Sequence, residues 1–149
     1  MRRFAGGFTL VELVTVIVIL GILAAVVIPR MDTSGYRSTE FHDRTVAALR
    51  FAQKTATSHR RLVCVTFPDT HTLQLDVDTD KNGICDTALA VPGSSSNRII
   101  STDPVNAVFN ALPATLNFSA DGTSPSGSVS ITFKGADDVI VSGATGYVQ

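Results

Sequence analysis

Tryptophan is absent from the 149 residues, and only 7% of them are aromatic, so the chain has little material for a broad stacking platform. Charge of one sign is lacking too. Twelve basic side chains face 13 acidic ones for a net charge of -1, which excludes a global field that would gather nucleic acid. There is no C-x-x-C pair, P-loop, dinucleotide fingerprint, metalloprotease spacing or nucleophile elbow. His42, His59 and His71 stand apart from one another and read as solvent-facing. The expectation is therefore no catalytic residue, no enzyme and no required cofactor. Internal repeats are also missing, and the length suits one domain of ordinary size.

What is present is unevenly spread. Arg2 and Arg3 precede Ala5-Gly6-Gly7, and an apolar run follows from Phe8 to Pro29-Arg30. Positive charge before a hydrophobic segment orients it with the arginines inside the cell. A secretory signal carries its small-residue cleavage site after the apolar region, whereas here the glycines come before it, so cleavage there leaves the anchor attached. Phe8 to Ile28 is 21 residues, enough for the roughly 20 that span a bilayer as a helix. Within it stands Glu12, which costs roughly 2.5 kcal/mol or more at mid-bilayer unless it lies near an edge or is paired. Gly21 and Ala24-Ala25 permit close helix approach, and Pro29 predicts a kink.

The stretch Gly7-Phe8-Thr9-Leu10-Val11-Glu12 resembles the type III signal of type IV prepilins and pseudopilins. That resemblance implies that a prepilin peptidase cuts between Gly7 and Phe8 and methylates the new Phe8 amine. It also implies that Glu12 pairs with the Phe8 amine of a neighbouring subunit, which fits the physics of two buried charges that are costly alone and tolerable together. Loss of Met1 to Gly7 removes two arginines and takes the side-chain charge from -1 to -3. The implied location is the bacterial inner membrane, single-pass with the head in the periplasm, and then a pilus or pseudopilus.

Beyond the anchor, Phe41, Ala48, Leu49, Ala52 and Ala56 recur at helical spacing, predicting a helix to about Ser58 with Glu40 and Arg44 paired on its outer side. Leu62 to Phe67, broken at Pro68-Asp69-Thr70, and the alternating Leu73, Leu75, Val77 read as a hairpin. Further strands are expected at Arg98 to Ser101, Thr115 to Phe118, Val129 to Phe133 and Val139 to Val141, and Val91 to Asn97 reads as a mobile loop. The expected fold is α+β and pilin-like: a long amino-terminal transmembrane helix packed on a small antiparallel β-sheet head. Its parts are a leader at 1–7, a transmembrane and filament-core helix at 8–29, an amphipathic helix at 30–58 and the β head at 59–149.

This order, with Ala47-Ala48-Leu49-Arg50-Phe51-Ala52-Gln53 leading to Arg60-Arg61, resembles the GspH/FimT branch of the pilin superfamily. Members of that branch often end in glycine and a basic residue, whereas here Tyr147 follows Gly146. The departure weakens any carry-over of DNA as a partner. Basic residues in the head are scattered over Arg60, Arg61, Lys81, Arg98 and Lys134.

Cys64 and Cys85 are compatible with one disulfide in an oxidising compartment; two reduced thiols are the alternative. Between them, Asp78-x-Asp80-x-Asn82-Gly83 matches the opening of a calcium-binding loop, although the twelfth position is Leu89 rather than a bidentate Glu. Two readings stand. Asp78, Asp80, Asn82 and Asp86 bind Ca2+, or Asn82-Gly83 supplies positive φ angles to a turn whose aspartates face water. For the whole chain the reading is a structural minor pilin or pseudopilin subunit of a type IV pilus or type II secretion filament, with other pilins as partners. The alternative is a binding module at a pilus tip that engages DNA, a surface or an export substrate.

Overall fold

The computed structural model describes residues 8–27 and 34–149. The leader with Gly7, and Pro29 with its expected kink, lie outside the described residues. The chain divides into two units between Thr33 and Ser34, and each is described by itself.

The first unit carries helix α1, Leu10–Val27. Leu, Val, Ile and Ala fill it, and Val11, Leu13, Val14, Val16 and Ile17, which point to every side of the helix, are 45–70% exposed. It therefore has no buried stripe, and a helix apolar all round belongs in apolar surroundings. Its 18 residues span about 27 Å at 1.5 Å per residue, short of a hydrocarbon core about 30 Å thick. Among the described residues, no helix is long and apolar enough to cross a membrane. The carboxyl-terminal end of the expected span falls in the segment that is not described.

The second unit opens with α2, Ser34–His59. Phe41, Thr45, Ala48, Leu49, Ala52, Thr55 and Ala56 are buried, and they repeat at three, four and seven residues as one helix face requires. The expected apolar face is thus the observed one. On the outer side, Arg44 meets Glu40 at 3.6 Å, one turn apart. The helix ends where Arg60 turns into the left-handed region at φ 51° and the Arg61 amide reaches back to the Ala56 carbonyl, a stop that glycine usually supplies.

That turn feeds β1, Val63–Asp69, which pairs antiparallel with β2, Thr72–Val77. Alternate residues Val63, Val65, Leu73, Leu75 and Val77 are buried in one core with the apolar face of α2, the period-two pattern of a sheet wet on one face. Pro68, expected to break the run, instead sits where the register slips between Thr66 and Asp69, since it has no N–H to give the ladder. β3, Thr87–Ala88, and β4, Arg98–Ile100, both pair with β2, and β5, Leu116–Phe118, pairs with β1 to complete a five-stranded sheet. β6, Val129–Ile131, and β7, Val139–Val141, form a separate two-stranded sheet. The head therefore carries two sheets rather than one.

The segment Val91 to Asn97 is held at its two ends: Val91 is buried, its amide donates to the Ser96 carbonyl at 2.9 Å, and Asn97 Nδ2 donates to Asp76 at 2.9 Å. Phe109, which no periodicity marked, is fully buried among the rings of Phe41, Phe67 and Phe133, with centroids 5.0, 5.3 and 5.1 Å away.

The carboxyl terminus returns to α2. Val148 bridges to Val141, Gln53 Nε2 donates to the Thr145 carbonyl at 2.8 Å, and Arg50 donates to the Val148 carbonyl at 3.3 Å. Gly146 sits between, at φ 62°, where a Cβ would strike the Gly122 carbonyl and lie 2.9 Å from the Gln53 amide. Glycine near this end is therefore demanded by packing as well as by backbone angle.

Candidate functional site

At the start of α1, Thr9 Oγ1 accepts the Glu12 backbone N–H at 3.2 Å, and Leu13 N–H bonds to the Thr9 carbonyl. Thr9 is therefore the N-cap and Glu12 the third residue of the helix, the T-x-x-E arrangement of a capping box. Glu12 also places a negative charge in the first turn, where the helix dipole favours it by about 0.3–1 kcal/mol. Beyond the intersubunit pairing that the resemblance implies for Glu12, the spacing Thr9-x-x-Glu12 gives it this local role. Phe8 lies just outside the cap and is 84% exposed. Phe8 and the Glu12 side chain thus stand at the same end of an apolar helix.

In the head, Cys64 of β1 and Cys85 are joined by a disulfide across a Cα separation of 6.1 Å, so the reduced alternative is set aside. The sequence separation of 21 predicts a contribution of about 3 kcal/mol from the shortened unfolded chain. The head Ser34–Gln149 has its own core and can be studied alone. Replacing both cysteines by serine there is expected to lower the unfolding free energy by about 3 kcal/mol in denaturant titration. An unchanged midpoint would contradict the bridge's role.

The bridge pins a loop built around Asp78, which is buried at 3% exposure rather than facing water. Asp78 Oδ1 accepts the Lys81 and Asn82 amides at 2.7 and 3.2 Å, and Oδ2 accepts the Gly83 amide at 2.7 Å. Positive φ angles fall on Lys81 and Gly83, at 63° and 86°, not on Asn82. Asp80 takes the Asn82 side-chain amide, Asn82 Oδ1 takes the Ile84 amide, and Asp86 takes the Thr87 hydroxyl. The oxygens of Asp78, Asp80, Asn82 and Asp86 thus serve donors of their own loop, with Asp78 and Asp80 sharing the Asn82 amide. Among the described residues no group of three or more His, Cys, Asp and Glu is placed to hold a metal ion.

Burial is the largest single influence on the Asp78 carboxyl and acts to raise its pKa, but hydrogen bonds from the Gly83 and Lys81 amides, the Asp80 side chain and the Asn82 amide together outweigh it. The net shift is below the ordinary 3.8. Asp103, through the Asn106 amide and side chain, and Asp121, through Thr123, are also held low. A depressed carboxyl stabilises the fold in full above its unfolded value of 3.8, and this is lost as pH falls through the lower folded value. The stability gap between the wild-type head and Asp78→Asn should therefore be constant near neutral pH and close below 3.8. Denaturant titrations down the pH series measure it, and a gap unchanged at the acid end would refute this account.

The histidines differ from their expected solvent-facing placement in one case: His42 packs edge-on against Phe133 at 5.1 Å and bonds to Asp43. His71 sits beside Asp69, and His59 is exposed. Basic groups of the head are partly engaged at home. Arg61 donates to the Thr79 carbonyl, Arg98 to Gln74 and Lys134 to the Val105 carbonyl.

Comparison with known proteins agrees with this architecture. Residues 2–28 match the prokaryotic N-terminal methylation motif, and residues 43–146 match the family of the type II transport protein GspH. The type IV narrow pilus major component PilA5 of Thermus thermophilus is 48% identical over 54 residues, 36% of this chain. The chain spans about half, 47%, of the length of that relative. The crystal structure of the type IV minor pilin FimU of Pseudomonas aeruginosa superposes with a TM-score of 0.50 at 16% identity, covering 76% of this chain and 84% of that one, a likeness of fold. With an anchor-type helix, an α2-backed antiparallel head and a family match over most of its length, the chain is a type IV pilin-like protein of the GspH family.

Proposed function

We propose that the chain is a minor filament subunit: cut between Gly7 and Phe8 by a prepilin peptidase, methylated at Phe8, and held by one pass in the bacterial inner membrane with its head in the periplasm. From there α1 moves laterally into a type IV pilus or type II secretion pseudopilus, trading lipid for the apolar helices of other subunits. The observation that carries this reading is α1 itself, apolar on every side and carrying a single charged residue, Glu12, at its first turn. Such a surface needs apolar neighbours all round, and lipid and packed helices both supply them. Glu12 then meets the one complementary charge such a site offers, the amine of Phe8 on the adjacent subunit.

The test is mass spectrometry of the amino-terminal peptide from membranes of cells that also express a prepilin peptidase. The expected species begins at N-methylated Phe8. An intact Met1 end under these conditions would overturn the proposal.

A further inference from the structure

The Asn82-Gly83 step is not used by the filament role, yet its surroundings are built in detail. Asparagine followed by glycine is the peptide most open to spontaneous deamidation, because glycine has no side chain to shield its amide nitrogen. That nitrogen loses its proton and attacks the asparagine Cγ. An N–Cγ bond forms, the Cγ–Nδ2 bond breaks, and the side-chain nitrogen leaves as ammonia. Water then opens the cyclic imide at either carbonyl, leaving aspartate or isoaspartate. No oxidant or reductant enters.

The loop opposes each requirement. Gly83 donates its N–H to Asp78 Oδ2 at 2.7 Å, and losing that proton would set an amide anion against a carboxylate. The Asn82 carboxamide is gripped at both ends: Oδ1 accepts the Ile84 amide at 2.7 Å, and Nδ2 donates to Asp80 Oδ2 at 2.9 Å. Turning Cγ toward the Gly83 nitrogen breaks both bonds. The Cys64–Cys85 bridge fixes the chain two residues further on. Nothing shields the site from water, since Asn82 and Gly83 are exposed and no atom outside the immediate chain lies within 4 Å of a Cβ built on Gly83. Protection comes from the hydrogen bonds rather than from burial.

We infer that Asn82-Gly83 is a latent self-modification site held unreactive by the closed loop, so that loop opening is recorded covalently at position 82. The reaction proceeds from the opened loop, and its rate follows the opening equilibrium.

The test compares the full-length chain in detergent micelles with a linear peptide of residues 76–88, its cysteine alkylated, in the same mildly alkaline buffer. Peptide mapping follows conversion of Asn82, and isoaspartyl methyltransferase labelling reports the branched product. Asn82 in the full chain should convert at least about tenfold more slowly than in the peptide. Asp78→Ala should bring the rate close to that of the peptide. Asp80→Ser, an exposed change that releases the Asn82 carboxamide and backbone amide from the Asp80 carboxylate but leaves the Gly83 N–H on Asp78, should give an intermediate rate. Equal rates in wild type and peptide overturn the inference, as does a folded Asp78→Ala chain that stays slow. If Asp78→Ala fails to fold, Asp80→Ser decides, and an unchanged rate there overturns it.

Discussion

Replacing Glu12 by valine is expected to leave cleavage after Gly7 intact and to reduce recovery in sheared filaments by about a hundredfold or more. Removing one member of a buried ion pair costs about 3–5 kcal/mol because the other charge is left uncompensated, here the Phe8 amine. Immunoblots of the filament and membrane fractions measure the ratio. Glu12 has a second and purely local role, however, as the first-turn acid of α1 beside the Thr9 cap. Losing that role costs about 1 kcal/mol of helix start. Glu12→Gln separates the two, because glutamine fills the same place in a capping box but carries no charge. If charge pairing between subunits governs assembly, Glu12→Gln fails nearly as badly as Glu12→Val. If it assembles like wild type, the pairing is refuted and Glu12 is explained by its own helix.

How much of this could be read from the chain depends on whether a feature repeats. The α2 face was legible because a helix packed on one side must bury a residue every three or four, and Phe41, Ala48, Leu49, Ala52 and Ala56 do so. β1 and β2 were legible through alternation. β3 is only two residues long, and Phe109 meets Phe133 at an isolated bridge, so neither offers a period to detect. The loop at Asp78 shows a different limit. Oxygens at alternate positions before a glycine suit a cation and equally suit the amides of a tight turn, and spacing does not distinguish the two. In the structure Asp78 is buried and accepts the Lys81, Asn82 and Gly83 amides, the contacts that a tight turn asks of it. At the amino terminus the resemblance pointed to Gly7, Phe8 and Glu12, while Thr9 gained its role only once the helix start was located.

Phe109→Ala is expected to be the most damaging single change in the head. The residue lies in the irregular stretch between β4 and β5, yet its ring is 1% exposed and contacts three others. It lies 5.0 Å from Phe41 on α2, 5.3 Å from Phe67 on β1, and 5.1 Å from Phe133 just beyond β6. It therefore sits where the helix, the larger sheet and the chain leaving the smaller sheet meet. Its backbone is held as well, with the amide donating to the Thr70 carbonyl at 2.8 Å, so the position cannot slide to fill a void. A Phe-to-Ala change in such a site loses about 3–5 kcal/mol, from transfer of the ring and from the cavity left behind. For a domain with a total stability of about 5–15 kcal/mol, that is enough to unfold a large fraction of molecules at working temperature. Denaturant titration of the excised head should show a lower midpoint with an unchanged slope. Phe67→Ala, at a half-buried ring that touches Phe109 from the open side, should cost less, since the site can be refilled by solvent and neighbouring chain. If the two variants lose equal stability, the junction is not centred on Phe109, and the larger sheet is held to α2 chiefly by the contacts of β1, β4 and β5.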